Sequence, residues 1–181
     1  ITSEEYSEKR QEIMEKIKAE SDVAGHKAYI IPEGASNGIG TFGYLKCMKE
    51  IEEQEKGLGI TFDTILSAVG SGGTYGGLFL GNKLLGLGKK VVGVNVCDLK
   101  YLEEKLEFSK DEMCIIDGYV GRGYALSRPE ELEFIVKLGR EEGIILDPVY
   151  TGKTMYGFYN EVKKGNLKDC KNILFIHTGG F

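Results

Sequence analysis

LSAVGSGGTYGGL, residues 66–78, passes from an apolar stretch into a cluster of small residues and back to apolar ones. The first part reads as the end of a buried strand and the last as the body of a helix. Between them stand Gly70, Ser71, Gly72, Gly73 and Thr74. Glycine costs backbone entropy on folding, so a run of it needs a physical reason. A strand, a glycine-rich turn and a helix start supply one together. The first amides of a helix have no acceptor within it, and the helix dipole favours negative charge there. Glycines let that backbone come close to a ligand, and Ser71 and Thr74 add hydroxyl donors. The plainer alternative is a tight strand-to-helix turn that binds nothing.

Working outward, DTILSAV (63–69) is a strand and VVGVNV (91–96) the next one. Leu78 to Leu87 is apolar nearly all round, which describes a helix packed on both sides. Upstream, residues 2–20 read as an exposed helix, with Thr2 and Glu5 as a capping box and Ile13, Met14 and Ile17 as a narrow apolar stripe. AYII (28–31) reads as a short strand stopped by Pro32. PEGASNGIGTFGY then opens a helix with Phe42, Leu45 and Met48 inward, ending near Gly57. Downstream, residues 98–108 form an acidic, weakly helical piece, and MCII (113–116) a strand. Ser127 and Glu130 form a second capping box, starting a helix with Leu132, Ile135, Val136 and Gly139 on one face and Gly143 at its end. Thr151 opens another, with Met155, Phe158, Tyr159 and Val162 at helical spacing and Gly165 as its stop. NILFIH (172–177) is the last strand. Strands alternating with helices predict an α/β fold with a mostly parallel, helix-covered sheet.

Composition agrees with a soluble globular chain. It is 41% hydrophobic and 28% charged over 181 residues, enough for one core. The net charge of −5 and the lack of a basic cluster argue against nucleic acid as a partner. No window of about 20 apolar residues suits a membrane, and the charged start does not read as a signal peptide. Cys47, Cys97, Cys114 and Cys170 are far apart, which fits thiols in a reducing cytoplasm better than disulfides or a metal site. With His26 and His177 the only histidines, no metal is expected. The 26 glycines suit a doubly wound protein with many strand-to-helix turns.

Two phosphate motifs fail at this loop. In GxGxxG, Tyr75 stands where the third glycine belongs, and Cys97 rather than an acid follows the next strand. In GxxxxGK[ST], Gly152-Lys153-Thr154 matches the end but Asp147 takes the leading glycine position. A cradle for a single phosphate monoester asks only for SGGT-like chemistry at a helix start. GSGGTYGGL resembles the phosphate cup of fold-type II pyridoxal-phosphate enzymes. IPEGASNGIGTFGY, IIDGYVGRGY, EEGIILDPVYTGK and ILFIHTGG follow the same pattern over about residues 28–180. Together they resemble the D-cysteine desulfhydrase and 1-aminocyclopropane-1-carboxylate deaminase family.

The resemblance implies pyridoxal 5′-phosphate as cofactor, with Ser71, Gly72, Gly73 and Thr74 on its phosphate. It implies that Tyr124 and Tyr150 face a small amino-acid substrate, that Thr151 lies at the pyridine nitrogen and that Thr178 lies near the same ring. In the deaminase branch the last two positions resemble Glu and Leu, and in the desulfhydrase branch both are small hydroxyl residues, as here. The implied reaction is β-elimination on D-cysteine, giving pyruvate, hydrosulfide and ammonia, with the cofactor as electron sink. 1-Aminocyclopropane-1-carboxylate deamination is the alternative. The family's Schiff-base lysine belongs to an N-terminal region that nothing here matches. Lys83 and Lys153 stand in other motifs. The chain therefore reads as the later part of such an enzyme, residues 1–32 ending its small domain and 33–181 forming most of its large cofactor-binding domain. The complete enzyme is expected to be a cytoplasmic homodimer. Two other classes stay open: a binding protein that kept the cup and lost the lysine, and a different nucleotide-binding α/β protein.

Overall fold

The computed structural model describes residues 1–97 and 112–179. The acidic piece expected over 98–108 lies outside the described residues. Two compact units divide the chain, Ile1–Glu33 and Gly34–Phe181.

The first unit is two helices, α1 (Ser3–Glu8) and α2 (Arg10–Val23). Thr2 and Glu5 form the expected capping box: Glu5 N donates to Thr2 Oγ1 at 3.1 Å and Thr2 N to Glu5 Oε2 at 2.7 Å. The single helix expected over 2–20 is broken at Lys9, whose ψ of 4° leaves the helical range. Glu33 accepts from the Tyr6 hydroxyl at 2.5 Å and from Arg10 at 2.6 Å. Ala28–Ile31 is not a strand. No neighbouring strand offers it a ladder among the described residues, and Tyr29 and Ile31 stay exposed.

The second unit is a parallel four-stranded sheet in the order β3-β2-β1-β4. Its elements are α3 (Gly38–Leu58), β1 (Thr64–Val69), α4 (Gly73–Leu84), β2 (Lys90–Asn95), β3 (Cys114–Ile116), α5 (Pro129–Glu142), α6 (Thr151–Lys163) and β4 (Ile173–Phe175). Register pairs Thr64 with both Lys90 and Ile173, and Val92 with Cys114. Both central strands are apolar on both faces, as a sheet covered on both sides requires. Ile65, Val69 and Val91 pack with Met48, Ile51, Tyr75 and Leu78. Leu66, Val92 and Val94 pack with Tyr119, Tyr156, Phe158 and Phe175 on the opposite face. Each fully buried Leu, Val or Met side chain contributes about 1.5–3 kcal/mol.

α3 and α4 lie backbone against backbone along a glycine seam. A Cβ on Gly77 would stand 2.5 Å from the Thr41 carbonyl oxygen, and one on Gly81 3.0 Å from that of Leu45. At the top of the seam Gly73 faces Ser36. Both helices therefore start at the end of the sheet where β1 finishes, which is where ligands bind in open α/β sheets.

Several helix faces differ from the expected ones. The seam turns Thr41, Tyr44, Leu45 and Met48 of α3 inward and leaves Phe42 63% exposed. α3 runs to Leu58, where Gly59 caps it in the left-handed region. α4 ends at Leu84, and Leu84 and Leu85 are exposed rather than packed on both sides. α5 carries two apolar stripes. Phe134, Ile135 and Leu138 are half-buried, while Leu132 and Val136 face out. On α6, Tyr159 and Val162 also face out. The second capping box sits one residue later than expected. Arg128 N donates to Glu131 Oε2 at 2.7 Å, while Ser127 donates to the Pro148 carbonyl at 2.8 Å.

Candidate functional site

The site grows from the end of β1. Gly72, at φ 86°, is the N-cap of α4 and brings no side chain to cap it. The first amide of the helix to point back to a carbonyl is that of Gly76, on Gly72 O at 2.8 Å. The amides of Gly73, Thr74 and Tyr75 precede it and have no carbonyl within the helix to use. Ser71 shares a hydrogen bond between hydroxyls with Ser36. Ser36 belongs to a strap, residues 34–37, that lies against the turn. A Cβ on Gly34 would stand 2.7 Å from Ser71 Oγ, and one on Gly73 3.0 Å from Ser36 Oγ. Motif spacing does not single out Ser36 as a neighbour of this turn; its only sequence signal is a second glycine-rich run ahead of a helix. α3 itself is closed by Asn37, which accepts from Gly40 N at 2.8 Å.

Beside the turn stand two tyrosines. The hydroxyls of Tyr124 and Tyr150 are 2.6 Å apart, with ring centroids 6.0 Å apart at 66°. The Tyr150 ring lies over Gly70, its Cε1 3.0 Å from where a Cβ there would sit. Burial, and then the bond to Tyr124, push the Tyr150 phenol well above its ordinary range. It therefore keeps its proton at neutral pH.

Tyr150 and Thr151 are held by Asp147. One carboxylate accepts the amides of Val149 at 2.8 Å, Tyr150 at 2.6 Å and Thr151 at 2.9 Å, and lies 2.5 Å from the Thr151 hydroxyl. Burial works to raise the Asp147 pKa, but the Thr151 hydroxyl and these amides outweigh it and hold it below the usual carboxylate range. Thr151 is wholly buried. Its Oγ1 accepts from Asp147 N at 2.9 Å and lies 3.1 Å from the Gly179 carbonyl. Thr178 is exposed, one residue before that carbonyl. β4 runs beside β1, with Ile176 N donating to Leu66 O at 2.8 Å. The cup, the tyrosine pair, Thr151 and the chain around Thr178 thus share one end of the sheet.

Neither Lys83 nor Lys153 presents its amine to this end of the sheet. Lys83 is exposed at the far end of α4, paired with Glu112 at 2.8 Å. Lys153 is 0% exposed, and its Nζ donates to the carbonyls of Val120 at 2.6 Å, Gly123 at 2.8 Å and Leu126 at 3.3 Å. Desolvation pulls its pKa down. No cluster of metal-ligating side chains occurs among the described residues.

The sequence model of the family described as "Pyridoxal-phosphate dependent enzyme" matches residues 1–179. The chain belongs to this family. Its fold is that of the fold-type II members. A relative from Arabidopsis thaliana, "Bifunctional D-cysteine desulfhydrase/1-aminocyclopropane-1-carboxylate deaminase, mitochondrial", is 40% identical over 99% of this chain and 48% of its own. The "D-cysteine desulfhydrase" of Serratia proteamaculans is 36% identical over 88% of this chain and 52% of its own. A solved structure described as an ACC deaminase homologue superposes on the whole chain with a TM-score of 0.80 at 36% identity, over 57% of its length. The chain spans about half the length of these relatives. Membership brings pyridoxal 5′-phosphate as the cofactor, and the residues present fit its phosphate. The start of α4 is uncapped, the hydroxyl residues Ser71 and Thr74 flank it in sequence, and the turn holds no acidic side chain. No described helix is long and apolar enough to cross a membrane.

Proposed function

We propose that this chain is the cofactor-binding part of a pyridoxal-phosphate lyase that eliminates hydrosulfide from D-cysteine. The observation that carries the reading is the uncapped start of α4 with the Tyr124–Tyr150 pair beside it. In this reading Ser71, Gly72, Gly73 and Thr74 bind the phosphate. Thr151 meets the pyridine nitrogen and Thr178 lies near the ring. When bound, the cofactor supplies the electron sink for the Cα–H bond electrons. Thr151 gives its one proton to Asp147 or Gly179, so it would offer a bound ring only a lone pair. Such a hydroxyl holds the ring nitrogen's proton less firmly than a carboxylate does, and a thiolate leaves readily enough for the weaker sink. The two tyrosines share one hydrogen bond, so one phenol proton remains for a substrate group such as the departing hydrosulfide. The balance is D-cysteine plus water to pyruvate, ammonia and hydrogen sulfide.

Residues 1–32 close the small domain in this reading and 33–181 form most of the large one. The lysine that holds the cofactor is neither Lys83, which stands at the far end of α4, nor Lys153, whose amine is held by three carbonyls. The enzyme works as a cytoplasmic homodimer on a small amino acid. The names of the relatives support both D-cysteine and 1-aminocyclopropane-1-carboxylate as substrates; Thr151 and Thr178 favour the first. Assaying the full-length protein on both tests this. Faster ammonia release from D-cysteine is expected, and faster release from the cyclopropane amino acid overturns the assignment.

A further inference from the structure

Lys153 is a buried cation that the reaction above does not use. Burying an ammonium is costly unless strong partners repay its lost hydration. Its three hydrogen-bond partners are backbone carbonyls, and the buried Glu131 carboxylate favours its charge without a hydrogen bond to it. All three carbonyls come from one loop, and that loop carries Tyr124.

The loop needs holding. Gly118, Gly121, Gly123 and Ala125 have φ of 90°, 78°, 135° and 57°, all in the left-handed half of conformational space. Glycine pays much entropy to be fixed there and alanine is strained there. The loop's own backbone supplies only a small turn, Arg122 N to Leu126 O at 2.9 Å and Leu126 N to Gly123 O at 3.1 Å. Tyr119 anchors one end, its hydroxyl on Glu161 at 2.6 Å. Next to it the Glu131 carboxylate and the Leu126 carbonyl each lie 2.9 Å from where a Cβ on Gly121 would sit. Lys153 gathers the middle. It also stands on α6 three residues after Tyr150, so one helix start fixes both partners of the tyrosine pair.

We propose that Lys153 is a positioning residue: its ammonium gathers the carbonyls of residues 120–126 and so sets the Tyr124 hydroxyl against that of Tyr150. The proposal rests on the reading that this pair faces the substrate. It assigns Lys153 no contact with substrate or cofactor. The amine acts through Tyr124, and the phosphate cup does not depend on it.

The test uses the full-length protein loaded with pyridoxal phosphate, carrying Lys153→Met, Tyr124→Phe or both. Lys153→Met is expected to lower kcat/KM about tenfold or more, yet less than about twofold once Tyr124 is already Phe. Amide exchange over residues 120–126 should rise at least about tenfold while that of 64–69 holds. Cofactor affinity should stay within about twofold. Effects that multiply in the double variant, or an unchanged loop exchange, overturn the proposal. Where Tyr124→Phe alone has no effect, the exchange still decides: a rise upholds the hold of Lys153 on the loop and removes the tyrosines from the proposed function. Should Lys153→Met fail to fold, Lys153→Arg keeps the cation and its donors in another shape, and the same non-additivity with Tyr124→Phe is expected of it.

Discussion

α4 and α6 both start near the ligand end of the sheet, and their first turns are built in opposite ways. α6 is closed by its own chain: the Asp147 carboxylate takes the Thr151 amide and hydroxyl together with the two amides just ahead of the helix, and the Asp147 carbonyl takes that of Gly152. α4 begins at Gly72 with no side chain over it. Both starts carry the same partial positive charge. One is neutralised within the protein and fixes side chains; the other is left for an anion from outside. A helix start marks a binding place where its cap is missing, and a scaffold where its cap is strong.

Filling the open start breaks the contrast most directly. Gly73→Val puts a branched side chain against Ser36 and in the path of the phosphate. The cofactor dissociation constant of the full-length protein should rise about 100-fold or more, read by absorbance titration, while the melting temperature moves by only a few degrees. Unchanged affinity in a folded variant would remove the phosphate from this turn.

Opening the closed start should act on stability instead. Asp147→Ala leaves buried donors without their acceptor and should cost about 2–3 kcal/mol in urea unfolding. A pH series sharpens the point. The Asp147 pKa is lowered in the folded state, so its contribution is present above the ordinary carboxylate range and lost as pH falls below it. Asp147→Asn should flatten that acid limb, and an unaltered limb would mean the carboxylate is not the cap.

The smallest effect is expected at the strap. Ser36→Ala removes the partner of the Ser71 hydroxyl but no amide, so cofactor affinity should weaken only about three- to fivefold. A loss as large as that of Gly73→Val would make the strap, rather than the helix start, the main anion holder.

What was legible in the sequence follows the range of the interactions. Thr64–Val69 and Lys90–Asn95 read as strands because burial on both faces leaves a continuous apolar run. The glycine-rich turn before α4 was legible because its residues are five consecutive ones. Ala28–Ile31 misled because an apolar run of four is a strand only if a neighbour pairs with it. Leu132 and Val136 misled because α5 has apolar residues on two stripes, and tertiary packing chose the other. Ser36 meets Ser71 across 35 positions, and Lys153 meets its carbonyls across 27 to 33, so no local pattern marks either contact.

The glycine seam has a further consequence for how accurately the cup is built. Where two helices meet through side chains, their spacing varies with the rotamers those side chains sample. At Gly77 and Gly81 one side of the contact is bare backbone, which meets the Thr41 and Leu45 backbone and the inner atoms of Tyr44 and Met48. The distance from strap to cup is then set mostly by covalent dimensions, like a part machined against a stop. Such a spacing holds its tolerance as temperature and surface sequence vary, because α4 brings no side chain to the joint that is free to turn.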